Sequence, residues 1–171
     1  MKSVLVVLTL IAAALTLRAE VVLEYEDPKT FKDFEYAQTR KLIEVEFFSK
    51  RVSGHLEKAA EKALPEGSKL ILRFLDIDLA GGFEPWQSIP LDDVRMLKDR
   101  YPPEVKLAYQ VEDNAGKVLV EGVESLRDRG YLDSGRTIRS SNDTFHHEWR
   151  MIERWIRVKL RKEVNKQLES K

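Results

Sequence analysis

The run Lys69-Leu-Ile-Leu-Arg-Phe-Leu-Asp-Ile-Asp-Leu79 sets the strictest limit on how this chain can fold. Apolar side chains occupy both parities, with Leu70, Leu72 and Phe74 on one and Ile71, Leu75, Ile77 and Leu79 on the other. An extended strand points successive side chains to opposite faces, so this run predicts a central strand with cover on both sides, at least in part. Its two aspartates, Asp76 and Asp78, share one parity, and Ala-Gly-Gly-Phe-Glu-Pro-Trp86 follows them.

The neighbouring segments supply the rest of a sheet and its cover. Val21, Leu23 and Tyr25 alternate as a short strand that Asp27-Pro28 ends. From about Arg40 to Leu64 the period becomes helical. Val45, Phe48, Val52, Leu56, Ala59 and Ala63 form a stripe that Pro65-Glu-Gly67 stops. Strand, helix, strand in that order predicts a parallel crossover. Residues 80–90 read as a loop and 94–98 as a short strand. Val105, Leu107, Tyr109 and Val111 then alternate, and Asp113-Asn-Ala-Gly116 turns the chain into a second hairpin arm at 117–124. Residues 127–144 read as an irregular polar arm. Thr144 is placed to cap a last helix at about 145–167, with Phe145, Trp149, Ile152, Ile156 and Leu160 on one face. The expectation is one α+β domain: a mixed sheet of four to five strands packed against two long helices.

The N-terminus reads as a secretory signal peptide at residues 1–19. Lys2 precedes an apolar run from Val4 to Leu17, and a cut between Ala19 and Glu20 suits the small residue there. The run is 14 residues long and ends at Arg18, whereas a spanning helix needs about 20. Removing Lys2 and Arg18 leaves 27 basic against 29 acidic residues over 20–171. That balance predicts no general affinity for nucleic acid. An exported chain with no cysteine has no disulfides, so its core must hold itself together. The expected location is a bacterial periplasm, with no transmembrane segment after the leader. The sequence leaves the oligomeric state open.

The ordered blocks resemble those of the Gram-negative periplasmic domain-of-unknown-function family 3016. They are Tyr25-Glu-Asp27-Pro28 with Phe31 and Asp33, Leu64-Pro65-Glu66-Gly67, Asp76-x-Asp78-Leu-Ala-Gly81 extended by Phe83-Glu84-Pro85, and Asp93-Val94-Arg95. Pro102-Pro103, Tyr109, Gly116, Leu126 with Asp128, Tyr131-Leu132, Glu148 and Trp155 complete the match. The resemblance implies export and one fold unit, and it transfers no catalytic role. Trp149 stands where the family usually carries lysine, and His146-His147 lies outside its pattern.

Asp76, Asp78, Gly81, Gly82, Phe83, Glu84 and Trp86 are the ligand-binding candidates. Two carboxylates on one strand face, with loop oxygens nearby, are the donor type calcium takes, but calcium needs six to eight oxygens and no calcium-loop pattern is present. Against that stands a structural reading in which strand-end aspartates accept backbone N–H bonds and fix the loop. Phe83, Trp86 and Tyr101 either line a groove or plug the end of the core. Adjacent His146 and His147 do not make the i, i+4 pair of a helical zinc site, and His55 is remote in sequence. They read as surface histidines near a cap, and no metal site is expected. No phosphate loop or hydrolase nucleophile setting is present either.

The last helix offers a surface. At about 100° per residue, Arg150, Arg154, Arg157 and Arg161 form one ridge. From Arg139 to Lys171 there are nine basic and five acidic residues. The ridge fits an anionic envelope component or an acidic protein face. The alternative is a solvated face paired to Glu153 and Glu163. The functional expectation is a non-enzymatic periplasmic binding or structural domain. The alternative is a hydrolase acting on an envelope substrate through Asp76, Asp78 and Glu84.

Overall fold

The computed structural model describes residues 18–33, 45–84, 95–133 and 143–170. The leader up to residue 17, the start of the first helix before Val45, Trp86 and residues 134–142 of the polar arm lie outside the described residues.

The main sheet has the order β1-β2-β5-β6. Strand β1 (Glu20–Tyr25) runs parallel to β2 (Lys69–Asp78), which pairs antiparallel with β5 (Glu104–Glu112). Strand β6 (Val118–Arg127) completes the hairpin with β5. Gly116 turns that hairpin at φ 78°, a conformation glycine adopts without steric cost. The mixed sheet and the parallel crossover expected from the sequence are both present. Helix α1 (Val45–Ala63) makes the crossover and buries Phe48, Val52, Leu56, Ala59 and Ala63, the stripe predicted for it. Phe48 packs edge-on against Phe74 and Phe145, joining α1, β2 and the last helix. Ala19, assigned above to the leader, is buried against this core.

Strand β2 corrects the two-sided expectation. Its pairing with β5 slips between Phe74 and Asp76. A bulge adds one residue to one strand and reverses every later side chain. Ile77 and Leu79 therefore join Leu70, Leu72 and Phe74 in the buried core. Among the described residues, the helices cover that face alone. The opposite face carries Val22, Ile71, Ala108 and Val123 among charged residues, and Val123 is 62% exposed. Asp76 and Asp78 keep a common side, on the face away from the helices.

Two further expectations change. Gly82–Phe83, read as loop, forms strand β3, which pairs with β4 (Arg95–Met96) inside the predicted short strand. The last helix starts with Phe145 at its N-cap rather than Thr144, and no side chain bonds that cap. It runs as α2 (His146–Trp155), a π turn (Ile156–Leu160) and α3 (Arg161–Glu169). The Arg161 N–H reaches the Ile156 carbonyl, five residues back. The cause lies in the core residues Ile152, Ile156, Leu160 and Val164, all fully buried at a strict four-residue spacing. In an unbroken α-helix that spacing drifts by about 120° over the set. One wider turn takes up the drift and keeps Val164 on the core.

Candidate functional site

The block Asp76–Glu84 leaves β2 and is held on several sides by residues remote in sequence. Asp76 Oδ1 accepts the Lys32 N–H at 3.0 Å, and Asp78 pairs with the Lys32 ammonium. Burial pushes the Asp78 carboxyl above its usual range against the pull of Lys32, and neighbouring Asp33 pushes the same way as burial. The Asp33 carboxylate accepts the Leu79 N–H at 2.9 Å and the Arg95 guanidinium at 3.0 Å. The same Arg95 nitrogen donates to the carbonyls of Leu79, Ala80 and Gly81 at 3.1, 3.3 and 3.0 Å. Glu148, on the first turn of α2, accepts the Ala80 N–H at 2.7 Å. Three consecutive loop residues are thus clamped by Arg95, Asp33 and Glu148.

Gly81 is required by this clamp. Its φ is +87°, and a Cβ there would lie 2.9 Å from both Arg95 Cγ and the Met96 carbonyl oxygen. Its N–H donates to the Tyr101 carbonyl at 2.9 Å, so it is not offered to a ligand. Gly82 lies against the Tyr101 ring, which a Cβ would meet at 3.1 Å. Phe83 packs under the Arg95 guanidinium at 5.0 Å. Phe83 and Tyr101 are both half-buried, and Trp86, the third aromatic of that group, lies outside the described residues.

Glu84 is 1% exposed and belongs to a second network. Lys98 and Arg100 pair with its carboxylate, and the Tyr101 hydroxyl donates to it at 3.2 Å. The Lys98 hydrogen bond, with those of Arg100 and Tyr101, holds this carboxyl below its usual range despite desolvation. The expected carboxylate trio therefore divides. Asp76 and Asp78 turn to Lys32, while Glu84 turns to Lys98 and Arg100. Among the described residues, no three His, Asp or Glu side chains gather as a metal site.

Glu148 is the group that site reasoning from sequence missed. It is 2% exposed, and burial pushes its carboxyl up to about 7, with the Ala80 N–H and Arg95 pulling the other way. A signal was present: Glu148 stands between Phe145 and Ile152 at helical spacing, on the stripe that faces the core. Arg95 and Asp33 carry no comparable local signal.

The histidines, read above as surface groups near a cap, are half-buried and packed among aromatic rings. His55 of α1 stacks on Trp149 of α2 at 3.8 Å with the rings 6° from parallel. Asp143 accepts the Trp149 indole N–H at 2.6 Å and lies 3.5 Å from His55 Nε2. His146 stands edge-on to Trp149 at 5.0 Å, and His147 edge-on to Tyr131 at 4.9 Å.

The arginine ridge is altered by the π turn, because a constant 100° per residue does not hold through Ile156–Leu160. Arg154 pairs with Asp128 at 2.9 Å and Arg157 with Glu153 at 3.2 Å. Glu163 instead accepts the Tyr109 hydroxyl at 2.8 Å. Arg150, Arg161, Lys162 and Lys166 have no acidic partner among the described residues. On the sheet face away from the helices, Glu24, Ile71, Arg73, Ala108, Gln110 and Val123 border a shallow groove of about 450 Å³.

Among the described residues, no helix is long and apolar enough to cross a membrane. No curated protein matches this chain. A solved minor lipoprotein from Acinetobacter baumannii aligns over 90% of this chain and 94% of its own, at 9% identity and a TM-score of 0.23, and nothing is carried over from so weak a likeness. The sequence blocks that meet at the Arg95 clamp belong together for a further reason: residues 19–158 match the model described as "Protein of unknown function (DUF3016)", and the chain belongs to that family.

Proposed function

We propose that the protein is exported to the periplasm and acts there as a non-catalytic interaction domain. The observation that carries this reading is that each carboxylate of the Asp76–Glu84 block is engaged by its own chain. A hydrolase would need at least two of these groups free to face a substrate, one to give a proton and one to attack or activate water. Asp76 instead holds a backbone N–H, Asp78 an ammonium, and Glu84 two cations and a phenol. Such engagement suits a loop whose task is to fix shape. Export rests on the leader, with its short basic start, apolar run and small residue before Glu20.

The partner suited to this domain is anionic. Arg150, Arg161, Lys162 and Lys166 have no acidic partner among the described residues, and they stand beside Arg154 and Arg157, which are half or more exposed and could exchange intramolecular carboxylates for a ligand's oxygens. The test is cosedimentation of the purified chain with vesicles containing anionic lipid, at low and physiological salt, beside a variant with Arg150, Arg154, Arg157 and Arg161 replaced by glutamine. Binding that weakens with salt and with substitution supports the reading. Equal retention of both proteins removes the anionic partner. Hydrolysis of phosphoesters or cell-wall fragments that is lost in a folded Asp76→Asn variant replaces the reading with the hydrolase.

A further inference from the structure

The first turn of α2 brings His146 and His147 close to His55, with the Asp143 carboxylate already set between His55 and Trp149. His146 has both ring nitrogens buried and without a hydrogen-bond partner among the described residues. A neutral imidazole there strands one N–H, and an imidazolium strands two. His146 and His147 have ring centres 5.6 Å apart, so charge on one opposes charge on the other. They also occupy the N-terminal turn of a helix whose cap has no side-chain bond, where the exposed peptide N–H groups disfavour a cation.

We propose that the His55–Trp149 stack, Asp143 and the His146–His147 pair form an acid-sensitive latch that seats the start of α2 on α1 and releases it when His146 and His147 take up protons. At neutral pH the latch is closed by aromatic packing: Trp149 is held flat on His55, edge-on to His146, and fixed by the Asp143 carboxylate. Acid adds positive charge where relief is limited. Among the described residues, the charged groups facing the two histidines are Arg150 on their own helix, His55 from α1, Asp143 before the helix, and Asp128 beyond β6. Asp143 is already shared between Trp149 and His55, and Asp128 is held by Arg154. Moving the first turn outward hydrates the imidazolium groups and separates them.

The burial that excludes water lowers both histidines from their ordinary value, with Arg150 adding to the effect on each. The sign follows. Below the unfolded value the open or unfolded chain binds more protons than the closed one, so closure weakens as pH falls through that value toward the lowered one. Glu148, next along the helix, works oppositely: it takes up its proton over the upper part of the same fall in pH and keeps the Ala80 contact. Opening is therefore confined to the turn before it and to the Trp149 side of the helix.

The test is amide hydrogen exchange, corrected for intrinsic rate, at pH 7.5 and 5.5 on the purified chain and on a His146→Gln, His147→Gln variant. The expected result is a loss of protection of at least about tenfold in α2 around Trp149 at the lower pH, with β2 and β5 unchanged and the variant insensitive. An independent reading on the unsubstituted chain is the NMR titration of its histidine ring protons, whose midpoint should coincide with the loss of protection. The latch is overturned by protection that is equal at both pH values, by a loss spread across β2 and β5, by a loss that persists in the folded variant, or by midpoints that do not coincide.

Discussion

Glu148 Oε1 and the Ala80 amide nitrogen lie 2.7 Å apart in a buried contact that spans 68 residues of sequence. Through it the last helix holds the loop that leaves β2. The carboxyl is raised from 4.5 to about 7 by burial. Between those values the folded chain keeps a proton that the unfolded chain has lost, so stability falls as pH rises through that window. The shift corresponds to roughly 3 kcal/mol as an order of magnitude. Glu148→Gln retains an oxygen for the Ala80 N–H and has no charge to bury. Urea denaturation at pH 5 and pH 8 should show the variant losing much less stability than the unsubstituted chain over that rise. Equal slopes would show that Glu148 titrates normally.

Arg95 should be the costliest cation to remove. One nitrogen serves Asp33 and three consecutive carbonyls in a part-buried pair, and breaking a fully buried pair from one side costs about 3–5 kcal/mol. Arg95→Ala is expected toward that range, with Arg95→Lys intermediate because an ammonium lacks the planar fork. Arg73→Ala, on the exposed Arg73–Glu24 pair, should cost less than about 1 kcal/mol. Chemical denaturation orders the three, and a loss below that of Arg73→Ala would disprove the clamp.

Three glycine-to-alanine changes should separate backbone strain from crowding. Gly81 has both a positive φ and a blocked Cβ position; Gly116 has the positive φ but open space; Gly54, inside α1, has neither. Gly81→Ala should therefore be the most damaging, and Gly116→Ala should cost about 1 kcal/mol. Gly54→Ala should stabilise by up to about 1 kcal/mol through helix propensity. Thermal melts of the three variants test the order, and near-equal costs at Gly81 and Gly116 would deny the close approach.

The π turn predicts an unusual tolerance to deletion. Val158 is 67% exposed. Its removal leaves Ile152, Ile156, Leu160 and Val164 at steps of four, three and four, the spacing of an ordinary α-helix face. The deletion should stay within about 1 kcal/mol of the parent, whereas inserting an alanine at the same point should cost several times more. A deletion as harmful as the insertion would mean that the π turn serves something other than register.

Local order was legible in the sequence wherever one element's own period carried it. The α1 stripe, the β5–β6 hairpin around Gly116, the parallel β1–α1–β2 unit and the long last helix all follow from side-chain spacing that a helix or strand imposes on itself. The ordered blocks also marked the family. What spacing could not supply was pairing. Alternation along β2 predicted cover on both faces, at least in part, but one bulged residue opposite β5 turned Ile77 and Leu79 toward the helices, which among the described residues cover only that face. Asp76, Asp78 and Glu84 looked like one acidic group because they are near in sequence, yet separate cations claim them from separate segments. Arg95, Asp33 and Glu148 meet at the loop, and His55 meets Trp149, only after the sheet and helices have closed. Those contacts depend on chain segments tens of residues apart reaching the same few ångströms, and no local period encodes that closure.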